Sequence, residues 1–137
     1  MPILDSKIDT RSEQFQQNRS DMKKMLGLLD GLLEEASTGG GTEAIARLRS
    51  RNKMPIRERI SHALDRDSSF LEISPLAAWR SSFAIGSGFV VGIGVIENVE
   101  CVILGHDPSV RAGAFNQFNS KKLMRGLEIA RVNRLPY

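Results

Sequence analysis

The run Phe89-Val90-Val91-Gly92-Ile93-Gly94-Val95-Ile96 is followed, after only Glu97-Asn98, by Val99-Glu100-Cys101-Val102-Ile103-Leu104. Two apolar, β-branched runs separated by two residues can pair only as an antiparallel hairpin, since a parallel partner needs a crossover of about a dozen residues or more. Asn98 tolerates the left-handed backbone of a tight turn. Gly86 and Gly88 lead into the first strand. The hairpin commits the chain to a sheet, and the helical patterns on either side of it make the fold class α/β.

From Arg11 to Ala36 the pattern is helical, with Phe15, Met22, Met25, Leu26, Leu29, Leu32 and Leu33 recurring near three- and four-residue spacing. Gly27 and Gly31 weaken that helix intrinsically, so packing against a partner surface is expected to support it. Residues 1–10 read as extended or loosely ordered. Ser37-Thr38-Gly39-Gly40-Gly41 stops the helix and reads as a flexible joint. Thr42 is expected to cap a second helix with Ile45 and Leu48 on its apolar side. Pro55 suits the first turn of a third helix over Ile56–Leu64. Residues 65–68 form a turn, Phe70–Ile73 a short strand, and 74–87 an irregular stretch. His106–Phe118 reads as a loop. Ser120–Asn133 reads as a helix with Leu123, Leu127 and Ala130 on one side, and Leu135-Pro136-Tyr137 as the opening of another strand.

The length of 137 residues fits one domain at most. One cysteine, Cys101, excludes an internal disulfide, and two histidines set far apart argue against a structural zinc site. Met1–Asp5 shows no secretory signal, no apolar run reaches membrane-spanning length, and the cytoplasm is the default location. A net charge of +3 is too mild to indicate nucleic acid. Its clustering is more informative, because residues 47–59 hold six basic residues and one acid. Such a cluster suits an anionic group. It also suits a solvated helix face, or pairing of Arg57 and Arg59 with Glu58, Asp65 or Asp67. Without interleaved aromatics it does not suit specific nucleic-acid recognition. His106 beside Asp107 has no serine or cysteine nucleophile to partner it, and no catalytic residue is assigned. Lys121 and Lys122 open a helix against its dipole, which hints weakly at an anionic neighbour, although a solvated pair is the plainer reading.

Taken in order, several elements resemble one family. They are Gly39-Gly40-Gly41, the basic helix ending in Arg51-Asn52-Lys53, Arg57-Glu58-Arg59-Ile60, Phe70-Leu71-Glu72-Ile73, Gly92-Ile93-Gly94, His106-Asp107-Pro108-Ser109-Val110 and Lys121–Ala130. The set is similar to the amino-terminal part of the carboxyltransferase (beta) subunits of biotin-dependent acyl-CoA carboxylases. It looks most like the methylcrotonyl-CoA branch, with propionyl-CoA carboxylase a near relative. The resemblance implies a partial crotonase-like (ClpP/crotonase) domain over 39–137, stopping before the oxyanion segment, with a helical extension over 1–38.

It also implies transfer of a carboxyl group from carboxybiotin to an acyl-CoA. Acyl-CoA is then the substrate, with no cofactor bound covalently. Carboxybiotin comes from a partner, and biotin carboxylase, biotin carrier and further beta subunits are the expected partners. No nucleic acid or membrane is expected. The location is cytoplasmic, or the mitochondrial matrix in a eukaryote, though no clear transit peptide is seen. On this resemblance Arg47, Arg51, Lys53 and Arg57 are candidate CoA contacts. Gly113 and Ala114 would lie in the loop that closes over the ligand, where Phe115 and Phe118 either line a groove or pack under the next helix. The chain departs from the family at Leu48 (usually histidine), at Asn52 (usually glycine) and at Arg111–Ala114 (usually richer in glycine). Alone it is expected to be inactive. The alternative is a non-catalytic CoA-binding or subunit-association protein that docks through the leucine–methionine face of residues 22–33.

Overall fold

The computed structural model describes Ser6 and residues 8–137, so most of the expectation for residues 1–10 lies outside the described residues. The chain divides into two units, residues 1–32 and 33–137. The first contains most of helix α1 (Glu13–Ser37). Its Met22, Met25, Leu26, Leu28 and Leu29 are exposed.

The second unit is built on a three-stranded antiparallel sheet of β1 (Leu71–Glu72), β2 (Phe89–Ile96) and β3 (Val99–His106), with β2 central. The hairpin closes on the Ile96–Val99 pair, and Glu97 and Asn98 both take positive φ, 51° and 61°. That is the primed turn that follows the right-handed twist of its strands. Asp65 clamps it, its carboxylate accepting the Glu97 and Asn98 backbone N–H groups at 2.7 Å each.

The two faces of the sheet are covered differently. Side chains alternate along a strand, so Gly92 and Gly94 share one face with Gly105 of β3, through the Val90–Gly105 and Gly92–Ile103 pairings. On that face Phe70 lies over Gly92, Leu64 over Gly94 and Ile56 over Gly105, where added Cβ atoms would collide. The glycines let α3 (Ile56–Ala63) and its flanks approach the backbone itself. The opposite face carries the main core of Phe89, Val91 and Val102 against Ala130 of α4 (Gln117–Asn133). With both faces covered, β2 is buried as a continuous run from Phe89 to Gly92.

Several local expectations need correction. Helix α2 (Thr42–Arg49) is preceded by Gly41 at its N-cap with no side-chain cap bond, so Thr42 is helical and not the cap. Pro55 sits one residue earlier than expected, at the N-cap of α3. Helix α4 begins three residues before Ser120, because Asn116 and Asn119 form a reciprocal capping box. Asn119 is fully buried and donates its amide to the Ala114 carbonyl at 3.0 Å. Strand β3 runs to His106, two residues beyond Leu104. Leu135–Tyr137 has no strand assignment, but the Val102 N–H donates to the Pro136 carbonyl at 2.9 Å.

Lys122 is not solvated. Its side chain is 1% exposed and reaches Glu72 at 3.5 Å, so the hint of an anionic neighbour holds. Among the described residues no helix is long and apolar enough to cross a membrane.

Candidate functional site

Arg47 lies within α2 and Arg51 two residues past its end, and both line the same cleft. Below them Ala44 and Leu48 are buried and form an apolar floor. The facing wall is the segment Pro108–Ala112, which follows β3. Between the walls lies a cleft of about 340 Å³ lined by Ala44, Arg47, Leu48, Arg51, Pro108, Ser109, Arg111 and Ala112. Three of these residues are arginines and none is acidic. Among the described residues Arg47, Arg51 and Arg111 form no salt bridge, and the Arg111 guanidinium lies 4.9 Å from the centre of the Phe83 ring. Forked guanidinium donors with no internal acid to neutralise them suit a phosphate-bearing ligand.

Gly39 and Gly40 join the walls and are packed tightly rather than loose. An added Cβ on Gly39 (φ +57°) would meet the Asp107 carboxylate, and one on Gly40 would collide with the Ser109 carbonyl. The flexible joint expected from the sequence is thus a close backbone contact. Asn52, where the family usually has glycine, takes φ +54°, a left-handed geometry that asparagine accepts better than most residues. Arg111 and Ala112 take φ +47° and +54°. The loop thus keeps a backbone suited to glycine while carrying side chains, at a cost of about 1–2 kcal/mol per residue.

The other candidates fall elsewhere. Lys53 is exposed and does not line the cleft. Arg57 pairs with Glu72 and donates to the Ala36 carbonyl at 3.3 Å, away from Arg47 and Arg51. None of its considered partners holds it, since Glu58 pairs with Arg49 at 2.9 Å and Asp65 holds the hairpin turn. Gly113 donates its N–H to the Val110 carbonyl and Ala114 accepts from Asn119, so both follow the lining residues without joining them. Phe118 packs edge-on against Phe83, with ring centres 5.5 Å apart.

The His106 ring lies between Phe89 and Phe115, at 4.6 and 4.5 Å, and its buried Nδ1 has no partner. The Asp107 carboxylate turns to Ser109 instead. Sequence reasoning missed Arg111 and Ser109 as cleft residues. The available signal was a basic residue in the loop after a strand, but only the fold sets it opposite α2.

The sheet with its flanking helices is part of a crotonase-like (ClpP/crotonase) α/β domain with an amino-terminal helical extension. The carboxyl transferase domain family matches residues 47–137, and the chain belongs to it. The chain is similar to the probable biotin-dependent acyl-coenzyme A carboxylase beta2 subunit of Mycobacterium tuberculosis, 39% identical over 98% of this chain and 25% of that protein. It is also 40% identical to the mitochondrial methylcrotonoyl-CoA carboxylase beta chain of Arabidopsis thaliana, over 98% of this chain and 23% of the other. The crystal structure of the beta subunit of P. aeruginosa geranyl-CoA carboxylase superposes with a TM-score of 0.90 at 30% identity, over 98% of this chain and 26% of that one. The chain thus spans about a quarter of the length of these relatives.

Proposed function

We propose that this chain supplies the CoA-binding side of a carboxyltransferase that moves a carboxyl group from carboxybiotin to an acyl-CoA. The observation that carries this reading is the acid-free cleft that sets Arg47 and Arg51 opposite Arg111. A CoA thioester brings a pyrophosphate and a further phosphate, and three guanidinium groups around an apolar floor match that chemistry. Arg47 and Arg51 hold the phosphates from the helix side and Arg111 from the loop side. Ala44 and Leu48 take the apolar part of the ligand. Lys53 lies beyond the helix end as an outer electrostatic contact. Gly113 and Ala114 shape the loop behind Arg111 rather than touching ligand.

The cleft offers nothing particular to a biotin ring, so no residue of this chain is assigned to carboxybiotin. A biotin-carrying partner would present it, with biotin carboxylase and further beta subunits in the assembly. Within the family we place the chain nearest the methylcrotonyl-CoA branch, supported by the 40% identity to a methylcrotonoyl-CoA carboxylase beta chain. A subunit-association role draws its support from the exposed Met22, Met25, Leu26, Leu28 and Leu29 of α1.

Calorimetric titration of the purified chain with acetyl-CoA and with a branched acyl-CoA tests the reading. Saturable binding that weakens about tenfold in Arg51→Ala is expected for the loss of one charge-assisted contact. Binding unaffected by Arg47→Ala and Arg51→Ala together, or no binding by the well-folded chain, would overturn it.

A further inference from the structure

The walls of the cleft are separate pieces of chain, and among the described residues one hydrogen bond joins residues 38–53 to residues 106–114. The Gly40 backbone N–H donates to Ser109 Oγ at 2.9 Å. The Ser109 hydroxyl proton is already committed, since Oγ donates to Asp107 Oδ1 at 2.5 Å. With its only proton engaged in that bond, the oxygen faces Gly40 as an acceptor. Asp107 is itself fixed. It is 8% exposed, its N–H donates to the Gly88 carbonyl at 2.9 Å, and its Oδ1 also accepts the Ser109 N–H at 2.9 Å. Close packing of Gly39 and Gly40 on Asp107 and Ser109 leaves the joint no slack. Gly41, the next residue, is the N-cap of α2, so the helix that carries Arg47 starts two residues from the tether.

We propose that Ser109, oriented by Asp107, is a positioning residue that sets the spacing of Arg47 and Arg51 against Arg111 and thereby the affinity for acyl-CoA. This rests on the CoA reading of the cleft. Ser109 acts through Gly40 and α2, because its only hydroxyl proton is held by Asp107 and is not offered to the ligand. The proposal also accounts for glycine at 39 and 40, where a side chain would push the walls apart.

The test compares wild type, Ser109→Ala and Ser109→Thr as whole chains, with acetyl-CoA as the probe. In the unliganded chain, Gly40 amide hydrogen exchange measured by NMR should speed about tenfold in Ser109→Ala and return towards wild type in Ser109→Thr, which keeps the hydroxyl. The dissociation constant for acetyl-CoA should rise about tenfold in Ser109→Ala and recover in Ser109→Thr. Unchanged Gly40 exchange in Ser109→Ala overturns the tether. Faster exchange with unchanged affinity overturns the positioning role. Failure of wild type to bind acetyl-CoA overturns the CoA reading, and the positioning role with it. That outcome is recognisable because Gly40 exchange still responds to Ser109→Ala.

Discussion

Lys122 Nζ lies 3.5 Å from Glu72 Oε1, although the two residues are fifty apart in the chain. Glu72 also receives Arg57, so one carboxylate on the short strand β1 ties α3 to α4. Both cations depend on that single anion. Glu72→Gln should therefore destabilise the chain by about 3 kcal/mol or more, as expected when a buried pair loses one partner. Lys122→Met leaves the Arg57–Glu72 pair intact and fills much of the same space, so it should cost far less. Urea unfolding of the two variants beside wild type measures the difference, and equal losses would show that Glu72 does not hold the network.

Burial lowers the Lys122 ammonium pKa from its ordinary value of 10.5, the charge of Glu72 opposing the shift and Arg57 adding to it. Between the depressed folded value and 10.5 the unfolded chain binds the proton more fully than the folded one. Stability from this group therefore rises with pH across that window, and is lost as pH falls through the folded value. The stability difference between wild type and Lys122→Met should move in favour of wild type as alkaline pH approaches 10.5. Unfolding midpoints of both proteins over an alkaline series would show it, and parallel curves would contradict it.

Glycines in the two units should respond oppositely to alanine. A Cβ on Gly94 would collide with Leu64, and one on Gly92 with Phe70, whereas a Cβ on Gly27 or Gly31 of α1 meets nothing within 4 Å. Gly94→Ala should cost about 1–3 kcal/mol through overpacking. Gly27→Ala and Gly31→Ala should each favour helix by roughly 0.5–1 kcal/mol. Circular dichroism with thermal melts reads both effects.

The hairpin was legible because it is local. Strand period, β-branching and a two-residue turn all lie within one stretch, and β2 runs over the residues expected, Phe89–Ile96. What fastens it was not legible. Asp65 reaches the turn from 32 residues away, and nothing in Asp-Arg-Asp-Ser marks which acid would do so. The glycine run read as slack because composition cannot separate a loose joint from a tight one. The Asp107 and Ser109 side chains that press on it are far off in sequence. Arg57 read as a CoA contact or as paired with Glu58, Asp65 or Asp67, and Lys122 as half of a solvated pair, because Glu72, the partner of both, is placed beside them only by the fold. The four-residue spacing pointed to Arg47 and Arg51 together, although α2 ends at Arg49 and Arg51 reaches the cleft from the turn beyond it, while Arg111 joins them only through the fold.

Arginines of the 47–59 cluster should separate into two classes when changed to alanine. Arg47 and Arg51 are exposed and unpaired among the described residues, so each change should alter unfolding free energy by no more than about 0.5 kcal/mol. Each should nonetheless weaken acyl-CoA binding, and raised salt should weaken wild-type binding in the same direction by screening those charges. Arg57 is half-buried on Glu72 and lines no part of the cleft, so Arg57→Ala should destabilise the chain while affinity at full folding stays near wild type. Measuring chemical unfolding and acyl-CoA titration on the same three variants separates the classes. Loss of affinity in folded Arg57→Ala equal to that in Arg51→Ala would mean that the cleft extends to α3, and the binding side would have to be redrawn around Glu72.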